Sequence, residues 1–535
     1  MGYFTQAKTH TDSAGRFAIS LETLLVLLVG LVVIGVEIVH FVSLTTYPPL
    51  FIDESWNANT AWNWLQTGIN FDSMHAGTLD QFGYEWLRWP VLGNAPWLAS
   101  FALFGLGVFQ LRLPSWIAGA CLLLATIAVG RRSYSALTGV VAALLVAISL
   151  PFLQASHYAR WDIMIAALAM SAFALVLEAL ETERWQKHLV AALLIGLSLD
   201  IHFNGILFAP GLAALYLLSY RQRIFMRSGT WLAALGGLLG IGYYVTVKIL
   251  PNPEAYYALF QFSYAFTHKL PIAGFNPLEI LSSLRAEIGR FHFYDNNLDF
   301  ALIGASALYL ARRQSTADQR LLLYLGCAFL SFVLFVGNKH DVYAILLYPF
   351  FLLMVAETFV SLIRNRQTAT GQRLFIVALL ALFLANSVMH TARPLITNRD
   401  YSYAEVARQI RERIPADARV MGRPEWWLGL ADYDYHSNLN LTYYHFQNGY
   451  TLAEGFAAVH PDYLLIDTKW RRQLVDANAF PADPGFTVYD LPRDELNEFL
   501  AKYGTEVDGF YDTVHGSFEI WKLHWDPPVA NSDNR

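Results

Sequence analysis

The sequence predicts a polytopic α-helical membrane protein with about eleven transmembrane helices, followed by a C-terminal α/β domain outside the cytoplasm. Three observations support this fold class. Hydrophobic residues make up 55% of the 535 residues and charged residues only 15%, whereas soluble domains carry about 25% charged residues. Apolar runs are spread from residue 21 to residue 391. Residues 392–535 are charged, contain Pro and Gly turns, and lack a run long enough to cross a bilayer.

The apolar runs predict individual spans, since a span needs about 20 apolar residues. The run from about Leu24 to Leu44 is too long for a signal-peptide core, so it predicts the first transmembrane helix. The segment Trp97–Phe109 has only 13 residues and is predicted to lie along the membrane surface. The candidate spans are 22–44, 113–130, 136–154, 161–180, 188–201, 204–220, 229–249, 298–311, 320–337, 341–362 and 374–391.

The positions of Lys and Arg agree with this assignment, because these residues concentrate in cytoplasmic loops. With a cytoplasmic N-terminus, the short outer loops hold only Arg160 and Lys339. The short inner loops hold Arg131, Arg132, Arg184, Lys187, Arg221, Arg223, Arg227, Arg312, Arg313, Arg320, Arg364, Arg366 and Arg373. We therefore expect a membrane domain, 1–391, with large outer loops at 45–112 and 250–297, and an extracytoplasmic domain, 392–535. The protein is expected in a plasma membrane.

Alternating patterns in the C-terminal segment predict a small α/β domain. Residues 402–413 have the periodicity of an amphipathic helix, and residues 494–503 also favour a helix. Short apolar runs at 418–422, 462–467 and 518–524 predict strands. The net charge of -6 and the lack of a basic patch argue against a nucleic-acid partner.

The first outer loop opens with two adjacent carboxylates, Asp53 and Glu54, followed by an aromatic stretch that includes Trp89. Ionisable residues next to hydrocarbon are costly and usually functional. A helix over 55–66 with Asp53 as its N-cap is the alternative for the first acid. For the tryptophans, the alternative is an interfacial aromatic belt.

Short motifs follow one another through the membrane domain in a fixed order. They are Asp53-Glu54, Trp89-Pro90 to Pro96-Trp97, Arg112-Leu113-Pro114-Ser115, Ala159-Arg160-Trp161-Asp162, and Lys339-His340-Asp341-Val342-Tyr343 with Tyr348-Pro349. This ordered set resembles the GT-C superfamily of glycosyltransferases. Within it, the set is most similar to the dolichyl-phosphate-mannose protein mannosyltransferases and the bacterial lipid A aminoarabinose transferases.

The resemblance implies transfer of a sugar from a polyprenyl-phosphate donor to a glycan, lipid or protein acceptor at the outer face, with membrane lipid as surroundings. Asp53 is then the general base of a single inverting displacement, and Glu54 supports it by orienting a cation or the acceptor. Two features depart from the group's pattern. Trp89-Pro90 stands where the group usually carries Lys or His with Pro-Pro, and His202 and Asn204 stand where it often carries Lys.

Such a reaction needs a carboxylate base, cations for the leaving phosphate and an apolar groove for the lipid. The candidate phosphate ligands are Arg112, Arg160, Lys339, His340 and Tyr343. For Arg112 and Lys339, snorkelling to the interface is the alternative. Arg160 with Asp162 also fits a structural ion pair at a helix start.

Further residues are candidates for substrate binding, and no cofactor is predicted. The substrate-binding candidates are Asp162, His202, Asn204, Trp89 and Tyr264. Interfacial anchoring is the alternative for Tyr264, which lies in the Tyr-rich second large loop. A divalent cation would find Asp53, Glu54, Asp72 and His75 in one loop, but no His or Cys spacing is diagnostic of a metal site. The monosaccharide-transferring members of the resembled group are generally metal-independent.

A transporter or flippase of a lipid-linked saccharide is the alternative function. Acids within the membrane and the broken pair 188–201 and 204–220 suit transport as well. Against it, no internal repeat is evident, and the polar residues cluster towards one face. A polysaccharide polymerase or ligase with a larger lipid-linked donor is a third reading.

Overall fold

A computed structural model of the chain describes residues 20–78, 90–267, 276–291, 297–337, 339–475 and 491–525, without the side chains of residues 262–267 and 446–447. The α-helices up to the centre of the chain are α1 Leu21–Ser43, α2 Ile52–Thr67, α3 Val91–Phe104, α4 Val108–Ser133, α5 Ala136–Ala147, α6 Leu150–His157, α7 Asp162–Thr182, α8 Trp185–Ile201, α9 Ala209–Tyr220 and α10 Ser228–Tyr244. The helices that complete the membrane domain are α11 Pro253–Thr267, α12 Pro277–Arg290, α13 Asn297–Arg313, α14 Thr316–Phe335, α15 Tyr348–Arg364 and α16 Thr370–Thr397.

Each predicted span coincides with a helix, and the chain is a multi-pass membrane protein. By length and apolar composition, seven helical stretches in the described residues qualify as spans, or eight when α5 and α6, bent by 69° at their junction, count as one. Three further predicted spans form α8, α13 and α15, each of 17 residues. The count of eleven therefore stays a prediction.

The first loop is largely helical and packed. Helix α2 begins at Ile52, so Asp53 lies in its first turn and is not its N-cap, contrary to the alternative interpretation. The apolar segment predicted at Trp97–Phe109 is divided between α3, which ends at Phe104, and α4. Trp97 is fully buried, which anchors α3 against the helices around it.

Helix α8 packs closely against α10 because both helices carry glycine where they cross. The backbone of Gly196 on α8 lies so near Gly240 on α10 that a Cβ added at Gly240 would stand 2.6 Å from it. A Cβ at Gly236 would stand 2.1 Å from the carbonyl oxygen of Leu189. Small residues allow this approach, which gains dispersion contacts in a lipid environment that offers no hydrophobic driving force.

The C-terminal segment forms the predicted α/β domain. Its five-stranded sheet has the order β2-β1-β3-β7-β6. The strands β1 Arg419–Gly422, β2 Asp434–Ser437 and β3 Tyr463–Asp467 are parallel, and β6 Gly504–Asp512 and β7 Gly516–Leu523 complete the sheet in antiparallel register. A separate pair consists of β4 Leu474–Val475 and β5 Leu491–Pro492. The helices are α17 Tyr403–Arg411, α18 Leu439–Asn448, α19 Leu452–Val459, α20 Thr468–Arg472 and α21 Arg493–Tyr503.

This domain contacts the first loop directly. The side-chain amide of Asn440 on α18 donates a hydrogen bond to the carbonyl oxygen of Met74 at 3.0 Å. The rings of His75 and Tyr443 meet edge to face with centroids 5.6 Å apart. The first loop and the C-terminal domain therefore lie on the same side of the membrane.

Candidate active site

Glu54 is fully buried and joins the segments that carry the candidate site residues. Its carboxylate accepts two hydrogen bonds from the guanidinium of Arg112, both at 2.8 Å. It also accepts from the backbone N–H groups of Phe51, at 2.8 Å, and Ala159, at 3.0 Å. A buried charge is tolerated only when it is paired and its remaining lone pairs are satisfied, and both conditions hold here. Glu54 thereby fixes the turn before Asp53 and the residue before Arg160.

Arg112 lies in this buried pair, and its assignment as a phosphate ligand stays a prediction. Its side chain is 1% exposed, and its remaining donor bonds the carbonyl oxygen of Leu44 at 2.8 Å. The structure therefore gives Arg112 a role in holding α4, α2 and the end of α1 together. The prediction of a phosphate ligand rested on its cationic character, which cannot distinguish a buried ion pair from an open site.

Asp53 and Arg160 form the centre of the candidate active site. The carboxylate of Asp53, 25% exposed, forms an ion pair with the guanidinium of Arg160. The same guanidinium donates from Nε to the buried carboxylate of Asp162 at 2.8 Å. The carbonyl oxygen of Ala159 accepts from the side-chain amide of Asn57 at 2.8 Å, so α2 holds this strand of chain on both sides of the Ala159 peptide.

Aromatic residues from two other parts of the chain surround Arg160. Its guanidinium lies 5.9 Å from the ring centre of Tyr343 and 5.7 Å from that of Phe51. His340, one of the predicted cations, is exposed at the start of the 3₁₀ turn Asp341–Leu346. The ring of His202, at the helix break, lies 5.7 Å from Tyr343, which brings this candidate to the edge of the site.

Asn204 lies at the helix break next to His202, and the two remaining substrate-binding candidates fall outside the described side chains. Asn204 is buried, with its amide nitrogen lacking a hydrogen-bond partner, and its backbone N–H donates to His202 at 3.1 Å. Tyr264 lies on α11, but its side chain is outside the described residues. Trp89 also falls outside them. For both, the substrate-binding prediction stays a prediction.

Lys339 belongs to a second charged cluster, which the sequence analysis missed in part. Its ammonium lies 3.3 Å from the carboxylate of Glu287 and donates to the carbonyl oxygen of Phe332 at 2.5 Å. Burial lowers the pKa of Lys339 to about 8, although Glu287 opposes this shift. Arg290 pairs with the same carboxylate, and its Nε and Nη1 atoms are buried without a hydrogen-bond partner.

Arg290 was not predicted, and the pattern of α12 could have revealed it. In this helix the polar residues Ser283, Glu287 and Arg290 are buried, whereas Leu278 and Leu281 are 74% and 61% exposed. The spacing of the three polar residues places them on one face of a helix. An amphipathic helix in a membrane protein turns its apolar face to lipid, so its polar face points towards the protein interior.

Two neighbouring cavities adjoin these clusters and share Pro151. The larger one is lined by Arg290 together with Ser149, Leu150, Pro151, Phe291, Asp299, Ala344, Tyr348, Ser387 and His390. The smaller one is lined by Arg160 and Asp162 together with Pro151, Gln154, Ala155, Tyr158, Asp341 and Val342. Each cavity is therefore lined by one arginine. Tyr343 stands in the sequence between Val342, which lines the smaller cavity, and Ala344, which lines the larger one.

Three described acids of the first loop have partners within the protein. Asp53 pairs with Arg160 and Glu54 with Arg112, while the carboxylate of Asp72 accepts a hydrogen bond from Nδ1 of His75 at 2.6 Å. Within the described ranges, no group of three or more His, Cys, Asp or Glu side chains converges to hold a metal ion.

The comparisons with known proteins agree with this architecture. A family model described as dolichyl-phosphate-mannose-protein mannosyltransferase matches residues 90–244. The crystal structure of ArnT from Cupriavidus metallidurans bound to undecaprenyl phosphate is similar with a TM-score of 0.59 at 13% identity, over 93% of this chain and 98% of that chain. No curated protein matches the sequence.

An archaeal oligosaccharyltransferase has the same fold. Its apo form, from Archaeoglobus fulgidus, is similar with a TM-score of 0.57 at 13% identity, over 95% of this chain and 75% of that chain. Its complex with an inhibitory peptide and a dolichol-phosphate gives a TM-score of 0.53, again at 13% identity over 95% and 75% of the two chains. The chain is thus a multi-pass membrane protein with the GT-C glycosyltransferase fold. Its resemblance to the group of protein mannosyltransferases and aminoarabinose transferases is confirmed.

Proposed function

We propose that the protein is a glycosyltransferase that moves a sugar from a polyprenyl-phosphate donor to an acceptor at the outer face of the membrane. The observation that carries this proposal is the convergence of Asp53 and Tyr343, from two other parts of the chain, on Arg160, which lines a cavity. The fold supports it, since ArnT, with the same fold, was solved bound to undecaprenyl phosphate.

Each group has a task in the proposed reaction. Asp53 removes the proton of the acceptor nucleophile as that nucleophile attacks the anomeric carbon, and the configuration inverts. The bond between this carbon and the phosphate oxygen breaks, and the phosphate leaves on the carrier lipid. Arg160 pairs with Asp53 before the donor arrives and binds the phosphate when it does, because a guanidinium suits both partners.

The second cluster supplies further phosphate ligands in this proposal. Arg290 lines the larger cavity and has two donor atoms without a hydrogen-bond partner. Lys339 lies nearby, because both cations contact the carboxylate of Glu287. Pre-oriented cations stabilise charge that develops on the leaving group, which is the largest single contribution in many enzymes. Glu54 acts only through Asp53 and Arg160, whose positions it fixes.

Substitution of Asp53 tests the general base. The purified protein in lipid nanodiscs is incubated with a panel of polyprenyl-phosphate monosaccharides and a membrane extract as acceptor. The wild type transfers sugar, and Asp53→Asn lowers kcat at least about 10²-fold, the low end for loss of a general base. Asp400→Asn is the matched control, because this carboxylate is 89% exposed and pairs with its neighbour Arg399.

The outcomes separate three possibilities. Equal transfer by the wild type and Asp53→Asn would contradict the assignment of the base while leaving the enzyme class. No transfer from any donor, with movement of the carrier lipid across liposomes instead, would replace the transferase proposal with the transporter reading.

A further inference from the structure

The C-terminal domain contacts the turn that carries Asp53 from two directions. The 3₁₀ turn Pro424–Gly429 packs on α2 with Trp426 and Trp427 almost completely buried. Leu439 and Tyr443 of α18 form an apolar cluster with Ile52, the residue directly before Asp53. The described part of the domain thus covers the first turn of α2.

Tyr401 links the domain to the same turn through polar contacts. It is 8% exposed, and its hydroxyl group is hydrogen-bonded to His515 at 2.9 Å, in the turn between β6 and β7. The hydroxyl also lies beside the backbone N–H of Leu50 and beside the ion pair of Arg112 and Glu54. Burial raises the pKa of Tyr401, so the hydroxyl stays neutral and keeps its hydrogen.

We propose that the C-terminal domain positions the site on the first loop, with Tyr401 as the residue that transmits this effect. Glu54 holds Phe51 and Ala159, which precede Asp53 and Arg160. Tyr401 connects Leu50 and the Glu54 pair to His515, in the turn that joins β6 and β7. The domain therefore supplies part of the packing that holds the first turn of α2 in place, and the site is incomplete without it.

Positioning of this kind has a kinetic signature. A general base works only within hydrogen-bond reach of its proton, and a displacement of about 1 Å costs on the order of 10²-fold in rate. A residue that supports the base, without touching the donor, changes kcat and leaves the KM of the donor unchanged. The kinetic part of this inference rests on the proposed function, whereas the structural part does not.

Two matched substitutions test the inference. Tyr401→Phe removes one hydroxyl group without opening a cavity. Tyr433→Phe is the control: Tyr433 is also 8% exposed, and its hydroxyl bonds the carbonyl oxygen of Ile414 inside the same domain at 3.1 Å. Amide hydrogen exchange is measured on peptides covering residues 50–56, and kcat and KM are measured in nanodiscs on the same preparations.

We expect Tyr401→Phe to speed exchange in residues 50–56 at least about threefold and to lower kcat about tenfold at unchanged KM. Tyr433→Phe changes neither. Unaltered exchange in Tyr401→Phe, or equal exchange changes in both variants, overturns the inference whatever the activity. Faster exchange in Tyr401→Phe alone, in a wild-type protein that transfers no sugar, upholds the positioning role and rejects the proposed function instead.

Discussion

Asp53 and Glu54 show how adjacent carboxylates acquire different tasks from their surroundings. Glu54 points into the protein, where Arg112 and two backbone N–H groups satisfy it completely. Asp53, one residue on, keeps 25% of its side chain exposed and pairs with a single guanidinium. A fully satisfied buried ion pair has no capacity left for a substrate, whereas in the proposed reaction Asp53 is released when Arg160 binds the donor phosphate. Loss of Glu54 alone would strand the buried charge of Arg112, which typically costs about 3–5 kcal/mol.

The pH dependence of donor binding is predicted from Lys339. Burial lowers the pKa of its ammonium to about 8, so the side chain is charged below this pH and neutral above it. A neutral amine binds phosphate poorly, and a charge-assisted hydrogen bond is worth about 1.5–3 kcal/mol. We therefore expect the KM of the donor to rise about tenfold as the pH increases from 7 to 9.5.

Lys339→Arg is the variant that isolates this effect, because a guanidinium stays charged over the whole range. Initial rates at varied donor concentration, measured at half-unit pH intervals, give the KM profile. The variant should show a flat profile between pH 7 and 9.5. A rise in KM that persists unchanged in Lys339→Arg would assign the pH dependence to another group.

The residue-level assignments from sequence rest on motif order, whereas the direction in which each side chain points is set by the fold. The acidic pair, the Ala-Arg-x-Asp stretch and Tyr343 were identified from their order along the chain, and the structure brings them together. Arg112 and Arg160 are both arginines at a helix start, and sequence alone gave them the same role. Only the fold shows that the first points at Glu54 and the second at Asp53.

At the scale of elements, hydropathy located every helix of the membrane domain that was counted as a span, because apolar length is a local property. The helices and strands outside the spans were harder to predict from the sequence. Helix α12 and helix α18 were not predicted, since the first is short and inverted in polarity and the second contains five polar residues, besides two tyrosines, among ten. In the sheet, β2 and β6 were not predicted. They lie at the edges, where fewer residues are buried and the apolar pattern is weaker than in β3.

The crossing of α8 and α10 gives a prediction on stability. A methyl group at Gly240 would stand 2.6 Å from the backbone of Gly196, so Gly240→Ala must push the two helices apart. Overpacking of this kind costs about 1–3 kcal/mol. We expect the Tm of the detergent-solubilised protein to fall by several degrees, measured by the loss of monodisperse protein after heating.

Gly237→Ala provides the matched control on the same helix. A Cβ at Gly237 meets nothing within 4 Å, so the new methyl group faces open space. Replacing glycine by alanine in a helix gains up to about 1 kcal/mol, since alanine loses less conformational freedom on folding. The two substitutions should therefore shift Tm in opposite directions. A fall of equal size in both would show that the helices do not cross at these glycines.

At the scale of the whole molecule, the described parts of the candidate site, the two cavities and the C-terminal α/β domain lie at the same end of the helices. The C-terminal domain contacts the first loop through Asn440 and Tyr443, and the first loop carries Asp53. The basic loops that we assigned to the cytoplasm lie at the other ends of the helices. This arrangement suits a donor whose phosphate arrives on a lipid already in the bilayer, since no nucleotide-binding glycine motif accompanies the site.

The orientation of this assembly is the last prediction, and one helix decides it. Helix α16 spans Thr370–Thr397, so Gln367 before it and Asp400 after it lie on opposite sides of the membrane. Both residues are exposed, which makes them suitable positions for single cysteines in a background where Cys121 and Cys327 are replaced by alanine. A membrane-impermeant maleimide added to intact cells should label Asp400→Cys and spare Gln367→Cys, because Lys and Arg concentrate in cytoplasmic loops. Permeabilised cells should label both. The reverse pattern in intact cells would put Asp53 in the cytoplasm, where soluble nucleotide sugars compete as donors, and the proposal of a lipid-linked donor used at the outer face would fail.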